Sequence, residues 1–215
     1  MWLVVGLGNP GKEYASHRHN VGFMATDLLA GAEKTGEFRE NFPGTFATGE
    51  LRGEEVVLLK PQTYMNLSGQ SVQPCAAFFK IPAERVLVLH DELDLPFGEL
   101  RLKVGGGHAG HNGLRSMIAS LGTPEFARVR IGIGRPPPGF RGEVADYVLS
   151  GFDTMERAEL PDILKRAEKT VLDVCARGLV AATKNLNTKP KPTKPKPPPR
   201  SPDETGGADS PRGKA

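Results

Sequence analysis

Four short polar clusters hold the residue types that could do chemistry: HRHN at 17–20, PQTYMNLSG at 61–69, HDELD at 90–94 and GGGHAGHNG at 105–113. Each is rich in His, Asp or Asn, and each falls at an expected strand-to-helix junction. One such histidine is ordinarily a surface or capping residue, and an aspartate after a strand is ordinarily an N-cap. Several clusters in the same chemical alphabet point instead to a site. Five histidines raise metal binding first, but the HRH and HAGH spacings do not match a helical His-x-x-x-His pair with a glutamate base. A histidine–aspartate pair among carboxamides fits metal-free hydrolysis. An imidazole can deprotonate water near neutral pH, while a carboxylate fixes its tautomer and stabilises the imidazolium. Carboxamides can position a substrate and stabilise a developing oxyanion. Ser68 in NLSG is not in a G-x-S-x-G setting, so its hydroxyl reads as solvent-facing or capping rather than nucleophilic.

The chain also opens with GLGNPG at 6–11, literally G-x-G-x-x-G, directly after an apolar run. A dinucleotide fingerprint needs its last glycine in the opening turn of a helix and an acidic residue ~20 positions on, after a second strand. Here Pro10 removes an N–H from any phosphate cradle. KEYASHRHN shows no clean amphipathic helix, and Asp27 falls inside a helical pattern. A dinucleotide-dependent oxidoreductase is therefore the weaker alternative. What remains is a tight turn at the carboxyl end of a strand, where open α/β sheets place ligand-binding groups, and it presents Asn9.

The elements that would position these clusters follow from periodicity. Residues 2–7 read as a buried strand and 21–30 as a helix; 46–51 and 55–60 flank Arg52-Gly53-Glu54 as a hairpin. Helical spacing runs over 66–80, strands over 85–91, 99–103 and 129–134, and a helix over 112–121. An amphipathic closing helix covers 162–187. Strands alternating with helices predict a single α/β domain, a mixed twisted sheet flanked by helices, over residues 1–187.

Residues 188–215 differ in kind. They contain no aromatic residue, Cys, Ile, Leu, Val or Met, and they hold eight of the chain's 19 prolines. Such a segment cannot bury enough apolar surface to offset its ordering entropy, which predicts a disordered Pro/Lys-rich tail. Its seven Lys/Arg and three Asp/Glu give +4 against +3 for the whole chain, so residues 1–187 come to −1. Any nucleic-acid site in the folded part must be a local patch. No apolar run approaches the ~20 residues that span a bilayer, and the N-terminus is a poor secretory signal, so the expected address is cytoplasmic. Cys75 and Cys175 are the only cysteines and are expected to be reduced and packed.

Taken in order, VVGLGNPGKEYASHRHNVGF, LLKPQTYMNLSGQSV, LHDELDLPFGELRLKVGGGHAGHNGLRSMI and RVRIGIGRP resemble bacterial peptidyl-tRNA hydrolase, from Leu3 to about Leu186. That family cuts the ester between a peptide and the terminal ribose of tRNA. The resemblance implies His19 as the base toward water and Asp91 as the group that orients it. It makes Asn9, Asn66 and Asn112 carboxamides that hold the peptide and the reacting ester, and it places Tyr14, Met65 and His111 in the same cleft. Arg101, Lys103 and Arg130 fall at basic positions associated with tRNA. Their alternatives are a solvated strand face for the first two and a structural ion pair for Arg130. The implied partner is peptidyl-tRNA, with no cofactor, no metal and no membrane, and a monomer is the simplest expectation. A non-catalytic RNA-binding protein on the same fold is the remaining alternative. The proline triplet 136–138 and the tail are the unusual features beside the family pattern.

Overall fold

The structure is a computed structural model that describes residues 1–32 and 34–187; the expectation for the tail at 188–215 lies outside the described residues. The chain runs β1 (Trp2–Gly6), α1 (Val21–Ala32), β2 (Lys34–Thr35), β3 (Arg39–Asn41), β4 (Gly44–Leu51), β5 (Glu54–Pro61) and α2 (Gly69–Phe78). It continues through β6 (Val86–Glu92), β7 (Leu100–Val104), α3 (Asn112–Leu121), β8 (Ala127–Gly132), α4 (Val144–Val148) and α5 (Thr154–Asn187). One eight-stranded sheet has the order β2-β4-β5-β1-β6-β8-β7, with β3 paired to β4. The centre is parallel, β5 with β1, β1 with β6 and β6 with β8. The flanks are antiparallel, β4 with β5 and β7 with β8. The mixed sheet is as expected from the sequence.

Parallel strands are covered on both faces, which is why β1 and β6 are buried at every position. On one face Val4, Leu58, Leu87, Leu89, Val129 and Ile131 share a core with Val21, Leu29, Ile163 and Val171 from α1 and α5. On the other, Leu3, Val5, Val57, Leu59 and Val88 pack with Val72, Leu114 and Met117 from α2 and α3. Both cysteines are reduced and buried, and burial pushes each thiol up to about 12. Among the described residues, no helix is long and apolar enough to cross a membrane.

Several boundaries depart from expectation for local reasons. Residues 65–67 form a separate 3-10 turn ahead of α2, so Asn66 lies outside that helix. The closing helix begins at Thr154, earlier than its apolar periodicity starts, and breaks its helical geometry at Gly178 (φ 78°, ψ 166°). The HDELD segment leads from β6 through a turn into β7, not into a helix. The segment after GLGNPG folds as two 3-10 turns, Lys12–Tyr14 and Arg18–Asn20, and α1 starts only at Val21. No helix N-terminus therefore meets the glycine turn.

The opening glycines have two uses. Gly11 adopts φ 113°, the left-handed side that disfavours other residues, where the chain leaves the turn. Gly6 and Gly22 let α1 lie directly on the sheet. A Cβ on Gly6 would stand 2.2 Å from Thr26 Oγ1 and 2.4 Å from the Gly22 carbonyl oxygen. One on Gly22 would stand 2.4 Å from the Leu89 carbonyl oxygen and 2.5 Å from that of Leu7. Gly22→Ala is therefore expected to lower unfolding free energy in urea by about 1–3 kcal/mol or more, as overpacking against backbone does. Gly31→Ala, at an exposed helical position with nothing within 4 Å of the new methyl, is expected to raise it by about 0.5–1 kcal/mol.

Candidate active site

The carboxyl ends of β1, β5, β6 and β8 open into one cleft of about 700 Å³. Asn9, Tyr14, His19, Met65, Asn66, Asp91, His111 and Asn112 all line it. The eight residues expected at the catalytic and substrate positions are thus brought together from four stretches of the chain, 9–19, 65–66, 91 and 111–112.

Asp91 lies at the centre, near the end of β6 and 3% exposed. Its Oδ1 is 2.8 Å from His19 Nδ1 and 3.0 Å from His111 Nε2. The second contact decides a proton position. His111 is the N-cap of α3, and its Nδ1 accepts the N–H groups of Gly113 (3.1 Å) and Leu114 (3.4 Å). An imidazole nitrogen that accepts carries no hydrogen, so the His111 proton is on Nε2 and is donated to Asp91. On His19, Nδ1–H donates to the same oxygen, which leaves the Nε2 lone pair as the basic site. Burial by itself depresses the His19 pKa, but the charge and hydrogen bond of Asp91 together hold it above the usual value of 6.5. Burial raises Asp91, yet the two imidazoles hold its carboxyl well below the usual carboxylate range. Both partners thus shift toward the ionised pair.

A third histidine supports this centre from beneath. His90 is fully buried, its Nδ1 lies 2.7 Å from the Asp91 carbonyl oxygen, and its ring meets that of His111 edge-on at 5.0 Å. Burial, with His111 adding to it, pushes its pKa down to about 3, so it remains a neutral donor to the backbone.

The carboxamides are oriented by similar logic. Asn9 Oδ1 accepts the Met65 N–H at 2.8 Å, which ties the β1 turn to the 3-10 turn at 65–67 and leaves the Asn9 amino group to donate. Asn20, 2% exposed, clamps the Asn9 backbone from both sides: its Oδ1 accepts the Asn9 N–H at 3.0 Å and its Nδ2 donates to the Asn9 carbonyl at 2.9 Å. Asn112 Oδ1 accepts from Arg115 at 2.8 Å, so its amino group is likewise the remaining donor. Ser68 is fully buried and donates to the Met65 carbonyl, a local structural bond and not a cleft nucleophile.

The basic trio lies elsewhere. None of Arg101, Lys103 and Arg130 lines the cleft. Arg101 pairs with Glu99 at 2.7 Å and Arg130 with Glu92 at 2.8 Å, while Lys103 is exposed. Sequence reasoning missed Asn20 as a clamp, Glu92, Arg115 and Arg135 as lining, and the whole wall formed by α4 through Val144, Val148 and Leu149. The Glu143 and Asp146 spacing, which forms a capping box at the start of α4, was the signal available for that helix. Asp91, His19 and His111 also place ligand-capable atoms within 4.8 Å of one another, the only such grouping among the described residues. The same three groups could hold a transition-metal ion.

Known proteins are similar to this chain over most of its length. The peptidyl-tRNA hydrolase family pattern matches residues 3–195. A peptidyl-tRNA hydrolase of Sorangium cellulosum is 67% identical over 192 residues, covering 89% of this chain and 86% of its own. One from Bdellovibrio bacteriovorus is 44% identical over 189 residues, covering 87% of this chain and all of its own. The crystal structure of peptidyl-tRNA hydrolase from Acinetobacter baumannii superposes with a TM-score of 0.80 at 41% identity, covering 87% of this chain and 95% of its own. By these matches and by its mixed sheet, the chain belongs to the peptidyl-tRNA hydrolase family.

Proposed function

We propose that this chain hydrolyses the ester joining peptide to tRNA, with His19 as general base and without a metal. The observation that carries the proposal is the shared carboxylate: Asp91 receives an N–H from His19 and another from His111, which turns His19 Nε2 toward the cleft as an acceptor. A water bound there loses a proton to Nε2 as its oxygen attacks the ester carbonyl. Asp91 stays ionised and stabilises the imidazolium, while the amino groups of Asn9 and Asn112 are donors available to the oxyanion. Collapse of the tetrahedral intermediate expels the ribose oxygen, which takes the proton back from His19. Tyr14, Met65 and Asn66 line the wall along which the peptide would lie. A monomer is the working unit in this reading, and a tRNA substrate would put the reaction in the cytoplasm. Lys103, with Arg101 and Arg130 once released from their glutamates, would meet tRNA phosphates.

The ligand-capable geometry of the three central groups favours a second reading, metal-assisted hydrolysis. Activity on N-blocked aminoacyl-tRNA after treatment with chelator separates the two. Full retention is expected, and loss that returns with added zinc would establish the metal reading.

His19→Ala is expected to lower kcat by about 10²–10⁴-fold, the usual contribution of a positioned base, with an unchanged circular dichroism spectrum. Wild-type turnover in that variant would sink the mechanism, whereas absence of turnover by the parent chain would leave an RNA-binding protein. The pH profile has a definite sign. His19 must be neutral to act and its pKa is raised, so kcat/KM should fall as pH drops through a midpoint above 6.5. Asp91→Asn removes what raises that pKa and leaves the burial that lowers it. The midpoint should move to the acid side and the rate should fall by less than in His19→Ala. An unmoved midpoint would rule out the pairing.

A further inference from the structure

The turn that carries His19 is held from behind by the residue before it. Arg18 is 6% exposed, although an arginine is almost never buried unless its charge is paired. Its Nη2 meets Glu156 Oε2 at 2.7 Å, and its guanidinium lies over the rings of Tyr147 (4.6 Å) and Phe152 (5.1 Å). Nε and Nη1 are buried and make no hydrogen bond among the described residues. One carboxylate and two aromatic faces therefore hold this side chain. The backbone is fixed by the same part of the fold: the Arg18 N–H donates to the Ser150 carbonyl at 3.0 Å, and His17 forms an antiparallel bridge with Gly151.

Each of these contacts is itself anchored. Glu156 Oε2 also accepts the Asp153 N–H at 2.8 Å, and Asp153 Oδ1 accepts the Glu156 N–H at 2.9 Å, so the carboxylate belongs to the cap that starts α5. The Tyr147 hydroxyl donates to the Ile133 carbonyl at 2.9 Å. The Ile133 N–H in turn donates at 3.0 Å to the carbonyl of Glu92, the residue after Asp91 in β6. Both ends of the His19–Asp91 bond are thus tied to one aromatic ring, His19 through the adjoining Arg18 and Asp91 through Glu92.

A buried ion pair adds little net stability, because desolvating both charges offsets their attraction, and a well-packed apolar side chain often serves as well. What the pair supplies is orientation: a planar guanidinium laid on two rings and paired at one end is fixed as a flexible apolar chain is not. We propose that Arg18 is a positioning residue for the reaction: through Glu156, Tyr147 and Phe152 it fixes the turn 18–20 so that His19 Nδ1 meets Asp91 and Nε2 faces the cleft. Arg18 does not line the cleft, and burial and Asp91 are what set the His19 pKa. The effect of Arg18 is therefore one of placement and not of charge. The proposal rests on the reading of His19 as general base.

The test compares Arg18→Met, which keeps an apolar stem and loses the charge, with Glu156→Gln, which keeps an acceptor for the Asp153 N–H and loses the ion pair. Each is made in the full parent chain and in His19→Ala. KM, kcat and single-turnover rates are measured on N-blocked aminoacyl-tRNA, with folding followed by circular dichroism. Arg18→Met is expected to lower kcat by about 10²-fold, the scale of a misplacement of about 1 Å, and Glu156→Gln by less. KM should stay within about twofold of the parent. In His19→Ala neither change should slow the residual reaction further, since the group being placed is gone. Parental kcat in a folded Arg18→Met, a loss confined to KM, or the same fold-loss with and without His19 overturns the role. Glu156→Gln carries the same comparisons if Arg18→Met does not fold. A readout independent of turnover is the downfield proton resonance of His19 Nδ1–H, identified by its absence from His19→Ala. It is expected to broaden or vanish in Arg18→Met, and its unchanged persistence overturns the placement. If His19→Ala turns over at the parental rate while that resonance is still lost in Arg18→Met, the base reading fails and the placement stands.

Discussion

One buried carboxylate oxygen organises the site. Asp91 Oδ1 accepts from two imidazoles inside a centre from which solvent is largely excluded. A desolvated carboxylate without such partners would protonate; with two N–H donors it stays ionised and sets the proton on each ring. Asp91 has to be immobile for this, and β6 makes it so. That strand lies between β1 and β8 and is buried along its whole length. The neutral His90 beneath it donates to the Asp91 carbonyl. The two histidines it serves come from opposite sides, His19 from the turns after β1 and His111 from the cap of α3.

The loops that reach the carboxylate are fixed through their backbones more than by apolar contacts of their own. Asn20 and Asn9 exchange two hydrogen bonds, and Asn9 continues to the Met65 amide. On the other side, Arg128 holds the carbonyls of Gly106 and Gly107, the glycine run that leads to His111. Arg18 does the same for His19. It is buried against Tyr147 and Phe152 and paired with Glu156 at 2.7 Å, while its N–H joins the Ser150 carbonyl. The wall formed by α4 and the turn that carries His19 are thereby one mechanical unit.

The parts of this arrangement that were legible in the sequence were those with a periodic or chemical signature. The buried strand at 86–92, the helix at 112–121 and the 46–60 hairpin follow from apolar spacing and turn residues. The clusters of His, Asp and Asn marked the cleft because each interrupts an apolar run. What could not be read was three-dimensional exchange between clusters. Nothing in HRHN distinguishes Asn20, which clamps a backbone, from His19, which faces the cleft. The proton position on His111 depends on its being a helix cap, a fact about the backbone at 113 and 114. The structural ion pair weighed for Arg130 forms, with Glu92 of a neighbouring strand, while spacing along the chain does not reveal that Glu99, just before β7, neutralises Arg101.

The cap on α3 has a further consequence, for the chemical ageing of the protein. Asn112-Gly113 is an asparagine–glycine step, the dipeptide whose glycine nitrogen attacks the preceding carboxamide with least obstruction and turns it into a carboxylate. That nitrogen is the one whose hydrogen is held by His111 Nδ1, within the first turn of a helix. The bond that fixes a proton on the imidazole also keeps the neighbouring amide from its own backbone. Slow conversion of Asn112 to an acid would put a negative charge where the cleft offers a neutral donor, and the fold retards that damage with a contact it already needs.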